Sequence, residues 1–112
     1  MIDSYHSGEI SVDGVIYNSD IIVLPDRVIS WWRKQSHNID PGDLDDISRT
    51  QLPEVIVIGS GEQSLMVVPE SIRNWLESKG MKVIIANTDK ACEVYNHLCS
   101  SQKVVAALHL TC

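Results

Sequence analysis

No stretch of this 112-residue chain gathers more than two adjacent basic side chains, and the pair Arg33-Lys34 stands among nine basic and fifteen acidic residues with a formal charge of −6. A basic stripe able to track phosphates is therefore missing, which argues against a nucleic-acid partner. The same acidity opposes docking to an anionic membrane surface. Long apolar runs are also missing: stretches such as Ile21 to Leu24 and Val55 to Ile58 are far too short to cross a bilayer. Met1 leads into Asp3, Ser4 and His6 rather than into a basic and then apolar signal, so no targeting segment is expected. The three cysteines, Cys92, Cys99 and Cys112, are odd in number and form no C-x-x-C pair, which suits neither a disulfide framework nor a four-cysteine zinc site. They read as reduced thiols of the cytoplasm, with Cys92 and Cys99 serving as small core residues. Neither an internal repeat nor a low-complexity segment is present.

What is there is ordinary globular material, with 44% apolar and 21% charged residues. A chain of this length buries roughly two-thirds of its unfolded surface around one core, so residues 1–112 read as a single domain. Its first third reads as a meander of short strands. Ile10 and Val12 alternate with polar neighbours, Asp13-Gly14 is a favoured two-residue hairpin turn, and a second strand starts near Val15. The run Ile21 to Leu24 stops at Pro25-Asp26, and Val28 to Arg33 follows as another strand. Asp40-Pro41-Gly42-Asp43 resembles a helix start, with Asp40 as N-cap, leading into a helix of about two turns.

From Leu52 the pattern changes. Glu54 to Ile58 reads as a strand, Pro69 to Lys79 as a helix, Lys82 to Ala86 as a strand, Thr88 to Cys99 as a helix and Lys103 to Leu110 as a last strand. The first helix has Ile72, Trp75 and Leu76 on one stripe and Gly80 at its end; the second has Ala91, Val94, Tyr95 and Leu98 at helical spacing. The expected fold is α/β and three-layered: an N-terminal β-meander plus a βαβαβ unit, forming a mixed, largely parallel sheet with flanking helices. In such sheets the ligand crevice lies beyond the carboxyl ends of the strands, which here are Gly59-Ser60-Gly61, Asn87-Thr88 and His109 to Cys112.

Each motif at those ends has a plain reading beside a functional one. Gly59-Ser60-Gly61 after a strand could bring backbone amides to a small anion, yet no helix opens at once and no Gly-Lys-Ser/Thr follows, so nucleotide binding is disfavoured. Ser60 lacks the Gly-x-Ser-x-Gly of a nucleophile elbow. Trp31-Trp32-Arg33-Lys34 is the most unusual feature: on a strand one tryptophan fills the core while the other points outward, and an outward Trp beside Arg33 is a good binding anchor. The plain alternative buries both rings. Arg33, His37, Ser60, His109 and a cysteine could together form a nucleophile-and-base or metal arrangement, but spacing alone does not bring them within reach, and His-x-x-Cys at residues 109–112 is a weak metal signal. His6 and His97 are expected in solvent.

Read in order, Trp32-Arg33, His37, Val57-Ile58-Gly59-Ser60-Gly61, Pro69, Leu76, Lys79-Gly80, Thr88 with Ala91, Tyr95-Asn96 and the closing His109-Leu110-Thr111-Cys112 carry a resemblance. The chain resembles the small domain family that includes the human adipogenesis-associated domain protein and the mitochondrial assembly factor of respiratory complex I. The resemblance implies a mixed sheet packed between helices and an extra layer of strands, with no catalytic residues to carry over, and it implies function only as the class of interaction or assembly protein. The sequence thus points to a non-enzymatic protein-binding or assembly module without cofactor or metal, its binding residues drawn from Trp32, Arg33, His37, Gly59, Ser60, Gly61, Thr88 and His109. The alternative left open is a protein that binds a small molecule or anion, or a weak hydrolase or thiol enzyme, with its site at the strand C-terminal ends. Arg33 and Gly59-Ser60-Gly61 are then expected to border one electropositive pocket, unless Arg33 merely pairs with an acid such as Asp43.

Overall fold

The computed structural model describes residues 1–33, 39, 41–44, 47, 53–64 and 66–111. Three strands open the chain, β1 (Ile2–His6), β2 (Glu9–Val12) and β3 (Val15–Tyr17), paired antiparallel in that order. The β2–β3 turn is set by Asp13-Gly14, whose φ angles of 48° and 84° place Val12 opposite Val15. Positive φ at both turn residues matches the twist of the flanking strands, which is why Asp-Gly recurs in such hairpins. β1 carries no strong alternation, and sequence pattern alone does not reveal it.

The second sheet contains β4 (Ile21–Val23), β5 (Val28–Ser30), β6 (Val55–Ser60), β7 (Lys82–Ala86) and β8 (Val104–His109), in the order β5-β4-β8-β6-β7. β6 runs parallel to both β7 and β8, whereas β4 is antiparallel to β8 and β5. Helices α1 (Glu70–Ser78) and α2 (Thr88–Leu98) complete the two crossovers. Every residue of β6 and β8 is buried, the mark of strands covered on both faces. On one face Ile56, Ile58, Val105 and Ala107 pack against Ile72 and Leu76 of α1 together with Trp31, Leu44 and Met66. On the other, Val55, Val57, Val104, Ala106 and Leu108 meet Ala91, Cys92 and Tyr95 of α2 and Ile2, Ile10 and Val12 of the meander. The architecture is therefore the expected three-layer α/β fold with a mixed sheet in the middle.

One local expectation is corrected. The strand expected over Val28 to Arg33 ends at Ser30. β4 offers only three residues for pairing, and after one more bond, from Trp31 N–H to the Asp20 carbonyl at 2.9 Å, the chain leaves the sheet. The helix expected after Asp40 opens, in its described part, with a 3-10 turn at Pro41–Leu44, and Ile47 beyond it is α-helical; Asp40 itself lies outside the described residues. That turn still has a structural task, since the Asp43 carbonyl accepts the indole N–H of buried Trp31 at 2.9 Å.

Candidate functional site

The strand topology brings three separate segments to one end of the central sheet. Ile21 pairs with Leu108 and with Ser30, so Asp20 before β4, Arg33 after β5 and His109 at the end of β8 converge there. Arg33 Nη2 donates to Asp20 Oδ2 at 2.7 Å, His109 Nδ1 donates to the same oxygen at 2.8 Å, and the Leu110 amide donates to Oδ1 at 2.8 Å. A carboxylate oxygen can only accept, so this contact assigns the proton to Nδ1 of His109. The 3.0 Å approach of Arg33 Nη2 to His109 Nδ1 then reflects two donors sharing one oxygen. Burial alone would raise the Asp20 carboxyl pKa; the hydrogen bonds from His109, Leu110 and Arg33 outweigh it and hold the group below the ordinary carboxylate value. The Arg33 side chain, only 4% exposed, also lies over the Trp31 ring, 4.5 Å from its centroid.

A second chain of bonds leads from this cluster across the sheet end. The Thr88 hydroxyl donates to the His109 carbonyl and accepts from the Gly61 amide at 2.9 Å. Gly61, at φ 102°, also accepts the Thr88 amide through its own carbonyl at 3.0 Å. Gly59 permits this proximity: a Cβ there would lie 2.9 Å from Thr88 Oγ1, 3.0 Å from Leu108 Cδ2 and 3.2 Å from Thr88 Cα. Arg33, Asp20, His109, Thr88 and Gly61 thus form one polar line. Gly59, Ser60, Gly61, Thr88, Arg33 and His109 all sit at this end of the sheet, as the sequence suggests, while His37 lies outside the described residues.

The expected pocket between Arg33 and Gly59-Ser60-Gly61 does not take the anticipated form. Gly59 and Ser60 are paired within β6, and the Gly61 amide is engaged by Thr88, so that amide is not aimed at an anion. Ser60 is buried and donates its hydroxyl to the Ala86 carbonyl at 3.1 Å. Arg33 takes Asp20 as its acid; no sequence pattern singled Asp20 out, the only clue being an acidic residue set directly before an all-buried strand. The cleft beside Arg33 is bordered instead by Asn18, Asp20, Trp32, Leu110 and Thr111. Trp31 is buried, and Trp32 stands on the rim of that cleft with 77% of its surface exposed. A second, polar cleft runs between β1 and the start of α2, past Tyr5 and Cys92. Burial pushes the Cys92 thiol up to about 12, which leaves it a poor nucleophile. Among the described residues no group of three histidines, cysteines or carboxylates is placed to hold a metal ion, and no helix is long and apolar enough to cross a membrane.

A family model described as protein of unknown function (DUF498/DUF598) matches residues 2–109. The chain belongs to this family. A bovine relative, NADH dehydrogenase [ubiquinone] 1 alpha subcomplex assembly factor 3 of Bos taurus, is 26% identical over 95% of this chain, which spans only 58% of the relative's length. The 13 kDa major membrane protein of Francisella tularensis is 32% identical, over 82% of this chain and 75% of its own. A conserved hypothetical protein of Pyrococcus horikoshii shares the fold with a TM-score of 0.90 at 22% identity, covering 100% of this chain and 99% of that one. The family resemblance drawn from the sequence is therefore correct.

Proposed function

We propose that this member of the DUF498/DUF598 family is a non-enzymatic protein-binding or assembly module of the cytoplasm, and that its partner docks in the cleft beside Trp32. The observation that carries this reading is Trp32 itself, a large apolar ring 77% exposed at the rim of a cleft whose base is fixed by the Asp20–Arg33–His109 cluster. Trp and Arg dominate interface hot spots, so an exposed ring beside Arg33 is a ready anchor for a partner. The groups that a catalytic reading would need are engaged in internal bonds: Ser60 to Ala86, Thr88 to His109, and Arg33 to Asp20. The free thiols Cys92 and Cys99 suit a reducing compartment. The assembly-factor name of the bovine relative supports the class.

The small-anion alternative is weaker because the Asp20 carboxylate already sits on Arg33 Nη2, where an anion would have to compete with it. Quantitative affinity purification with the wild-type chain and Trp32→Ala separates the readings. Loss of a hot-spot tryptophan costs about 2 kcal/mol or more, so retention of specific protein partners should fall about thirtyfold with an unchanged melting temperature. An identical set and amount of partners on both baits would refute the docking site.

A further inference from the structure

We infer that a cavity between α2 and the β4–β5 turn binds a small uncharged molecule, an apolar body carrying one oxygen that accepts a hydrogen bond from the Tyr95 hydroxyl. Tyr95 is only 6% exposed and packs in the core cluster that holds Ile10, Val12 and Val23. A tyrosine hydroxyl taken out of solvent ordinarily finds a partner inside the protein, as that of Tyr5 does on the Leu110 carbonyl at 2.7 Å. Tyr95 has none among the described residues. Its oxygen is not sealed into the core but opens onto a cavity of about 300 Å³. The adjacent Asn96, by contrast, bonds inward through both its side-chain oxygen and nitrogen, to the backbone of Ile2. The donor that Tyr95 leaves over therefore belongs to the cavity.

The walls set the chemical class. Val12, Val23, Val28 and the Tyr95 ring supply apolar surface, and Cys99 a soft, polarisable one. The charged groups stand at the mouth in exposed pairs, Asp13 with the Met1 amine at 2.7 Å and Asp26 with Arg27 at 3.2 Å. A charged ligand group beside Tyr95 would leave water without a counter-charge on the inner wall, so the ligand is uncharged. Burial, and after it the nearby Cys99 and Asp13, raise the Tyr95 phenol above its ordinary pKa, so the oxygen keeps its proton and donates. The ligand's own oxygen must then accept, as a ketone, amide or ether oxygen does. At roughly 30 Å³ for each displaced water, the space suits a molecule of about ten non-hydrogen atoms. The site lies at the far end of β4 from Asp20 and shares no lining residue with the Trp32 cleft, so its test is independent of the proposed function.

The probe is acetophenone, with benzoate and benzylammonium as charged analogues of similar size. Titration of the full chain with each, up to about 10 mM and followed by proton–nitrogen correlation spectra, reports both affinity and place. The expected result is saturable shifts at the amides of Val23, Arg27, Tyr95 and Cys99 but not at Trp32, with both charged analogues bound about tenfold or more weakly. Tyr95→Phe removes one neutral hydrogen bond and should weaken acetophenone about fivefold, while the free variant melts no lower than wild type. Tyr5→Phe loses an internal bond, so it should melt lower yet bind acetophenone as wild type does. Absence of saturable shifts at these residues, a charged analogue that binds as tightly as acetophenone, or an affinity that ignores Tyr95→Phe would overturn the assignment. So would a Tyr95→Phe chain destabilised as much as Tyr5→Phe, because the hydroxyl would then be serving the fold rather than a ligand.

Discussion

Removing the Asp20 carboxylate is the sharpest perturbation this structure offers, because three donors converge on one side chain. Asp20→Ala would leave the Arg33 guanidinium, with a side chain only 4% exposed, without its anion, and would strip the acceptor from His109 Nδ1 and from the Leu110 amide. Breaking a buried pair by deleting one partner costs about 3–5 kcal/mol. Asp20 retains 18% exposure, which lets water reach the vacated site and favours the lower end, about 3 kcal/mol. For a domain of this size that corresponds to roughly 12 °C in melting temperature. Urea denaturation of wild type, Asp20→Ala, Arg33→Met and the double variant gives the coupling. The double variant should be less destabilised than the two single losses added together, because no lone charge is left in the interior. The pH dependence follows from the sign of the shift. Since the folded-state pKa of Asp20 is depressed, its contribution is fully present above the unfolded value of about 3.9 and is lost as pH falls through the folded value. Acid unfolding of Asp20→Asn should therefore be less steep below about pH 4 than that of wild type. A loss under about 1 kcal/mol for Asp20→Ala, with additive single variants, would refute the reasoning and demote the cluster to an ordinary surface pair.

Three further outcomes are expected. Gly59→Ala forces a Cβ to within 3.2 Å of the Thr88 backbone and should cost about 1–3 kcal/mol in urea denaturation, with the start of α2 losing amide protection first. Cys92 is buried, with its thiol pushed up to about 12, so a disulfide reagent at pH 8 should modify it no faster than the protein unfolds. Trp31→Phe removes the indole donor from the Asp43 carbonyl and shrinks a core ring, and should cost about 2 kcal/mol, whereas Trp32→Phe at an exposed position should cost under about 0.5 kcal/mol in the same thermal melt.

The elements most legible in the sequence were those whose pattern is decided locally. Ile72 and Leu76 at helical spacing, with Pro69 before and Gly80 at φ 90° after, announced α1. The β-branched run Val55 to Ile58 announced a buried parallel strand, the apolar run in Lys82 to Ala86 a second, partly exposed one, and Asp13-Gly14 fixed its hairpin. What escaped was decided by distant neighbours. β5 stops at Ser30 because its partner β4 has only three residues, a fact of pairing that the continuous pattern of Val28 to Arg33 hides. Trp31 and Trp32 do take opposite environments, but through the departure of the chain from the sheet rather than strand alternation. The candidate site shows the same division. Arg33, Thr88, Gly61 and His109 could be suspected from their places at strand ends. Asp20, the residue that joins two of them, lies 89 residues from His109 and carries no motif, so only the antiparallel β4–β8 pairing reveals it.

That pairing also explains why so much polar chemistry gathers at one residue's distance from the end of β8. The two sheets share no strand, yet each grips Leu110. Its carbonyl accepts the Tyr5 hydroxyl at 2.7 Å and the Gly8 amide at 2.8 Å from the meander, while its amide donates to Asp20 of the larger sheet. Burial, with the nearby charges of Glu62 and Asp89, pushes the Tyr5 phenol up to about 12, which keeps the proton on the oxygen that must donate it. A second bracket acts at the other end of β1, where Asn96 of α2 both accepts from and donates to the backbone of Ile2 at 2.8 Å, replacing a missing strand neighbour. Tyr5, Asn96, Asp20 and the segment His109-Leu110 are therefore one fastening between the layers. The Trp32 cleft opens directly onto it, bordered by Asp20 and Leu110. A partner pressing on Trp32 would meet a base held from both sheets, and a cleft floor fixed in advance lowers the ordering cost of binding.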